Sequence, residues 1–496
     1  MFLFGHDPFL YPTLSAGLQA FVRSAYGALL LLTLSAALPQ ARRYFQSERW
    51  GGYAQSSAWV DAVQNPYVGP FLLAVWFGSA LGLLFGQFAV VAAGVNLLLC
   101  HYLFIRMRWR GVLRGMGAPG FIAFWLGAAV FFLELTARHA PDLHGLVLLT
   151  VQVDFAFIMI SAGLYKLASG YRAGLGMQLG MVNPEWGYWP AFWRDWPPGH
   201  LLFRFLNEMA WSTEVFAGLL MLLPATRMLG ALAILVSFVF IATQIRLGFL
   251  CEMIIVGCLL FVPAGGAVDR VFAVILPSGQ AAFQAGAPLP SLAQTALAAW
   301  CWGYMLLLPL ARAAMFYNQL AHKRLPAPLQ SALDRYTNLA GLIIWRVFTA
   351  DIVNFFVRVW VQPAIGGVRR LVSDYEGFTW TNRYRQVAEC IAITSVFTTL
   401  RYYPSRREMF AERLLRYART IPHDPDARLV FEWVAVVPRT DRFEFVPIAE
   451  YIADVAHSRV DEVVLSDIVS VEAAAAASPI HEGERPGSYA PLNPEP

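Results

Sequence analysis

The stretch LVLLTVQVDFAFIMISAGLYKL (residues 146–167) decides how the rest of this chain is read. It is long enough to cross a bilayer as a helix, which takes about 20 mostly apolar residues. Asp154 nevertheless sits near its middle and Lys166 near its end. Charges inside an apolar span are costly, and each one marks a candidate site. Two readings of Lys166 stand open. Gly170 reads as a helix stop, which places Lys166 in the last turn. There the unpaired carbonyls favour a cation, and the long stem lets the ammonium reach water as an anchor. The other reading is a base: burial in an apolar pocket disfavours the ammonium until a neutral amine can take a proton.

Composition agrees with the membrane reading. Of 496 residues, 57% are hydrophobic and 14% charged, with a mean hydropathy of +0.51, whereas soluble domains carry about a quarter charged residues. The net charge of +4 is spread along the chain, with no basic block that would suit nucleic acid. The start, MFLFGHDPFLYPT, lacks the basic region of a cleavable signal peptide, so the first apolar run reads as a retained span. Five cysteines and nine histidines show no ligand spacing, and no metal is expected.

Candidate spans are 18–38, 70–85, 88–105, 121–135, 146–167, 201–223, 228–245, 249–262 and 292–316. They predict a multi-pass, all-α membrane bundle of about eight or nine transmembrane helices over residues 1–320. The second and third are separated only by Gly86-Gln87, as a tight hairpin or one broken helix. If both cross, Arg42, Arg43 and Arg49 share a face with Arg106, Arg108, Arg110 and Arg114. The excess of arginine would make that face cytoplasmic and leave the amino terminus outside. A bacterial cytoplasmic membrane is the expected location.

Residues 321–372 read as a polar linker followed by a helix on the membrane surface, AGLIIWRVFTADIVNFFVRVW (340–360). A small α+β soluble domain is expected over 373–472, and a disordered tail over 473–496. In the domain, IAITSVFTTLRYY (391–403) has the β-branched and aromatic content of a strand. Ser405 and Glu408 have capping-box spacing. Phe410, Leu414, Tyr417, Ala418 and Ile421 form one helical stripe, and 428–437 with 442–448 form a hairpin.

The other candidate charges of the bundle are Arg204, Glu208, Glu214, Arg246 and Glu252. Arg204 and Glu208 lie one helical turn apart and can pair as a clamp. Glu214 and Glu252 lack a local partner and can meet Arg246 or Lys166 across helices. PEWGYWPAFWRDWPPGH (184–200) concentrates Trp186, Tyr188, Trp189, Trp193 and Trp196 in one loop. Such a loop suits either an interfacial belt or the wall of a site for a flat apolar ligand such as a quinone.

These residues carry a resemblance. AGLYKL (162–167), the Tyr-Arg-x-Gly stretch after it and the aromatic loop resemble the vitamin K-dependent γ-carboxylase-like family, also called the horizontally transferred transmembrane domain (HTTM) family. IATQIRLGFLCEMIIVGCLLFVP (241–263) resembles a later family segment, with Gln244 where such segments often carry histidine. SRREMFAERLLRYARTI and RLVFEWVAVVPRTDRFEFVPI resemble the helix and hairpin of the family's extramembrane domain. The resemblance implies a γ-glutamyl carboxylase-like lyase, quinol-dependent, with Lys166 as catalytic base. A vitamin K-like hydroquinone would lose a proton, O2 would add, and the resulting alkoxide would deprotonate a peptide glutamate that captures CO2. It further implies a lipid bilayer, a quinone and a protein or peptide substrate as partners. The competing reading is a non-catalytic membrane module binding lipid, quinone or a partner through its C-terminal domain.

Overall fold

The computed structural model describes residues 11–108, 110–171, 175–275, 286–320, 323–344, 350–363, 367–372 and 383–466. The Tyr-Arg-x-Gly stretch beyond Tyr171 and the tail from 473 lie outside the described residues.

The bundle is built from α1 (Ala16–Ala37), α2 (Val68–Phe85), α3 (Ala89–Cys100), α4 (Gly117–His139), α5 (Pro141–Ala168), α6 (Leu201–Leu222), α7 (Arg227–Gln244), α8 (Leu250–Cys258) and α9 (Ser291–Leu320). Among the described residues, 7 helices are long and apolar enough to cross a membrane. Two of the expected spans fall short, for different reasons. The 22-residue α6 is interrupted by Arg204, Glu208 and Glu214, and the apolar helix Leu250–Phe261 is too short for a full crossing.

Local chemistry sets several helix ends. The Ser15 hydroxyl accepts from the Leu18 amide, 3.2 Å away, and caps α1. Gly86, at φ +72°, stops α2 in the left-handed conformation that glycine adopts without penalty. The chain then turns directly into α3, so α2 and α3 form the hairpin. The Gln55 amide donates to the Arg110 carbonyl at 2.6 Å, which places the segments after α1 and after α3 at the same end of the bundle.

That end also carries the C-terminal unit: β1 (Phe355–Gln362), β2 (Arg370–Leu371), α10 (Arg383–Tyr402), α11 (Arg407–Ala418), β3 (Arg428–Pro438), β4 (Phe443–Asp454) and β5 (Arg459–Val464). The strands form one antiparallel sheet in the order β2-β1-β3-β4-β5, with Phe355 opposite Ala435 and Leu429 opposite Ala453. Phe397 of α10 meets Phe410 of α11 at 5.4 Å and Tyr451 of β4 at 5.6 Å between ring centroids. The expected hairpin is β3–β4, and the stripe Phe410, Leu414, Tyr417, Ala418 and Ile421 is buried as predicted.

Three local expectations are corrected. Residues 391–403 belong mostly to α10 rather than to a strand. The helix tolerates its hydroxyl-rich stretch because Ser395, Thr398 and Thr399 donate back to carbonyls one turn earlier. Its apolar residues Tyr384, Val387, Ala388, Ile393, Val396, Phe397 and Leu400 are buried. In the segment read as a surface helix, residues 355–362 form β1, where buried Phe355, Val357, Val359 and Val361 alternate with Arg358, Trp360 and Gln362 on the other side. The capping box at Ser405 and Glu408 does not form. Arg406 is the N-cap of α11, and its own amide is turned back to the Tyr403 carbonyl.

The two units share one apolar core. Arg43 pairs with Glu389 and donates to Thr420 Oγ1 at 2.7 Å. A Cβ on Gly117 would touch Ile391, and one on Gly248 would touch Tyr384.

Candidate functional site

The site grows from the contact between α5 and α6. A Cβ added to Gly163 would meet the Trp211 carbonyl oxygen at 2.6 Å. One added to Gly218 would meet the Ala156 carbonyl oxygen at 2.8 Å. Two bare backbones therefore let the helices approach as closely as small-residue contacts in membranes allow. Between these glycines lies Glu214, on the inner face of α6 with Phe203, Asn207, Ala217 and Met221.

Lys166 occupies the last turn of α5, as expected, but it does not reach water: it is 3% exposed, as is Glu214. Its Nζ donates to Glu214 Oε1 at 2.6 Å. The ammonium is thus neutralised across helices rather than solvated. Glu214 Oε2 is buried and accepts no hydrogen bond among the described residues. Tyr171, fully buried just beyond α5, lies within electrostatic reach of Glu214. Burial first, and the Glu214 charge second, hold its hydroxyl protonated well above the usual phenol range.

Asn207 closes one side. It accepts from the Met177 amide at 2.8 Å and donates to Gln178 at 2.9 Å, so the short helix Met177–Val182 is held against α6. The loop that follows joins the bundle to the sheet. Asn183 donates to the carbonyls of Val353 and Phe355 at 2.9 and 2.7 Å. Glu185 accepts from the Val357 amide at 2.8 Å, supporting the start of β1. Arg246 donates to the Pro184 carbonyl at 2.9 Å and lies over the Tyr188 ring, which also meets Arg383. Arg383 pairs with Glu252 and so links α10 to α8.

The aromatic loop divides. Trp186 is buried and Tyr188 is half-buried between the two arginines. Trp189 is 57% exposed, while Trp193 and Trp196 pack on each other at 5.3 Å and on Phe203. Gln244 accepts from Trp193 Nε1 at 3.2 Å, fastening the outer cluster to the end of α7. The loop is therefore part buried joint between bundle and sheet and part surface cluster.

The charges picked from the sequence do not form one network. Asp154 takes Arg312 at 3.3 Å, Trp125 Nε1 at 3.1 Å and the Tyr304 hydroxyl at 2.9 Å. Twelve residues of helix, about 18 Å of rise, separate it from Lys166. Arg204 and Glu208 face outward, with Glu208 accepting from Trp211 Nε1 at 2.9 Å. The suggested clamp is not among the ion pairs of the described residues. Glu214 meets Lys166, one of the two partners anticipated, but Glu252 meets Arg383, which sequence reasoning missed. Arg312 was also missed, although a charge inside the apolar 292–316 run was signal enough. Tyr171, Asn207, Asn183 and Glu185 carried no such signal.

Comparison of the chain with protein-family models, curated proteins and solved structures finds no match.

Proposed function

We propose that this chain is a multi-pass integral membrane enzyme that uses the Lys166–Glu214 pair to take a proton from a lipid-soluble, hydroxyl-bearing substrate. The reduced quinone implied by the carboxylase-like sequence resemblance is the leading candidate, with a peptide glutamate and CO2 as further reactants. Seven membrane-length apolar helices among the described residues support the location, and the basic end of the bundle is the cytoplasmic one on this reading.

The observation that carries the proposal is the burial of Lys166 against Glu214 at 2.6 Å beneath the C-terminal unit. Two ions withdrawn from water cost several kcal/mol each, and a well-packed apolar pair of similar volume is often as stable. An ionisable pair retained at such a place is a functional-site hypothesis by default. Because the carboxylate and the amine can each hold the proton, the pair can receive and pass on one proton without bulk water. Trp186 and Tyr188 lie on the same end of the bundle, where a flat apolar ligand entering from lipid would meet them.

The test is turnover of a reduced quinone by the full chain in proteoliposomes. A paired variant, Lys166→Met with Glu214→Leu, leaves no buried charge unmatched and should keep most of the wild-type stability. It should lose quinol consumption and CO2 incorporation together. Undiminished turnover in that variant would overturn the proposal.

A further inference from the structure

The arginines that follow α1 share one basic stretch of sequence, but the fold gives them different tasks. Arg43 is buried against Glu389 and belongs to the joint with the C-terminal unit. Arg42 and Arg49 instead line a cavity of about 370 Å³, together with Gln46, Trp50, Gly51 and Pro66. We infer that this cavity binds the phosphate of an anionic phospholipid headgroup, at a site separate from the Lys166–Glu214 pair.

The two guanidinium groups are positioned but not neutralised. Arg42 donates through Nε to the Trp50 carbonyl at 3.0 Å. Gly51, at φ +82°, lets the backbone lie against that side chain, since a Cβ there would meet Arg42 Nη2 at 2.7 Å. Arg49 lies over the Trp50 ring, 5.3 Å from its centroid. Among the described residues Arg42 has no ion pair, and Arg49 has only Asp61, at 4.0 Å. The neighbouring Glu48 is engaged elsewhere, paired with Arg416 at 3.2 Å and accepting from the Ser56 amide at 3.0 Å. The cavity therefore keeps an excess of positive charge. Its arginine forks match the paired oxygens of a phosphate.

The surroundings select a lipid as the carrier of that phosphate. Pro66 leads directly into Tyr67 and α2, one of the helices long and apolar enough to cross a membrane. Tyr67 is 85% exposed and Phe71 66%, and Leu38, four residues before Arg42, is also exposed. A tyrosine at the head of an apolar span suits the headgroup level of a bilayer. Phe71, a turn further into the span, offers acyl chains an apolar surface. A soluble phosphate would use the arginines alone, whereas a phospholipid matches both the charge and the apolar flank.

The experiment is native mass spectrometry of the full chain in detergent, titrated with phosphatidylglycerol and separately with phosphatidylcholine of the same acyl chains. An arginine beside an anionic headgroup predicts that the wild type retains phosphatidylglycerol about fivefold or more tighter. Arg42→Gln with Arg49→Gln should remove that preference. Arg439→Gln with Arg442→Gln takes the same charge from the exposed β3–β4 turn and should keep it. Equal retention of the two lipids by the wild type overturns the inference, and that comparison needs no variant to fold. A preference that survives in Arg42→Gln with Arg49→Gln, or falls equally in both double variants, overturns it as well. Displacement of phosphatidylglycerol by glycerol 3-phosphate at matched concentration would assign the cavity to a soluble phosphate ester and overturn the lipid. None of these readouts involves turnover, so the proposed function stands or falls separately.

Discussion

Glu214 Oε1 lies 2.6 Å from Lys166 Nζ, across two helices whose backbones nearly touch at Gly163 and Gly218. The pair is closed off from water. Its consequences for stability and for the site can be measured separately.

Single substitutions at the pair should destabilise far more than the double one. Lys166→Met or Glu214→Leu alone strands a buried charge and should cost ~3–5 kcal/mol, read as a lowered denaturation midpoint in detergent. Lys166→Met combined with Glu214→Leu should recover most of that loss. Additive losses would show that the two groups do not interact in the folded protein.

The glycine contact should be equally sensitive. Gly163→Ala or Gly218→Ala puts a methyl group against a backbone carbonyl, which cannot step aside, at a cost of about 1–3 kcal/mol. Gly303→Ala, in a helix where an added Cβ meets nothing within 4 Å, is the control and should be neutral or stabilising by up to about 1 kcal/mol. Equal melting temperatures for all three variants would contradict the close approach of α5 and α6.

Asp154 and Arg312 should matter to stability and not to the ligand. Arg312→Met leaves the Asp154 carboxylate with only Trp125 and Tyr304 as donors and should lower thermal stability. Because about 18 Å of helix separates Asp154 from Lys166, hydroquinone affinity in the folded fraction should stay within about twofold of wild type. A large loss of affinity would join the two networks into one site.

Truncation should show that the C-terminal unit is not a detachable module. Ending the chain at residue 372 keeps β1 but removes its partner β3, along with Glu389 and Arg383, which hold Arg43 and Glu252. The remaining bundle should aggregate in mild detergent, as followed by size-exclusion chromatography. A monodisperse peak would contradict the shared core.

Orientation can be read with one new thiol. All five native cysteines are buried, while Thr440 lies exposed in the turn between β3 and β4. With the basic end inward, a membrane-impermeant maleimide should label Thr440→Cys in inside-out vesicles and not in right-side-out ones. The reverse pattern would put the site and the C-terminal unit outside the cell.

The apolar helices were legible in the sequence because span length and hydropathy are properties of one segment at a time. The same holds for the α11 stripe and the β3–β4 hairpin, whose periodicities of burial are local. The strand expected at 391–403 failed for a reason of the opposite kind. β-Branched residues have no fixed preference until neighbours decide which surface they cover, and here Phe410, Tyr451 and the bundle end cover a helical face. Residues 355–362 went wrong likewise, since only pairing with β3 makes a strand of FFVRVWVQ. In the site, the chain by itself showed that Asp154, Lys166, Glu214 and Glu252 were costly charges needing partners. Which partners they found is a matter of where helices 48 to 158 residues apart come to rest. The tertiary structure made that choice through glycine contacts and shared burial, giving Asp154 donors on both of its oxygens and Glu214 the Lys166 ammonium on one.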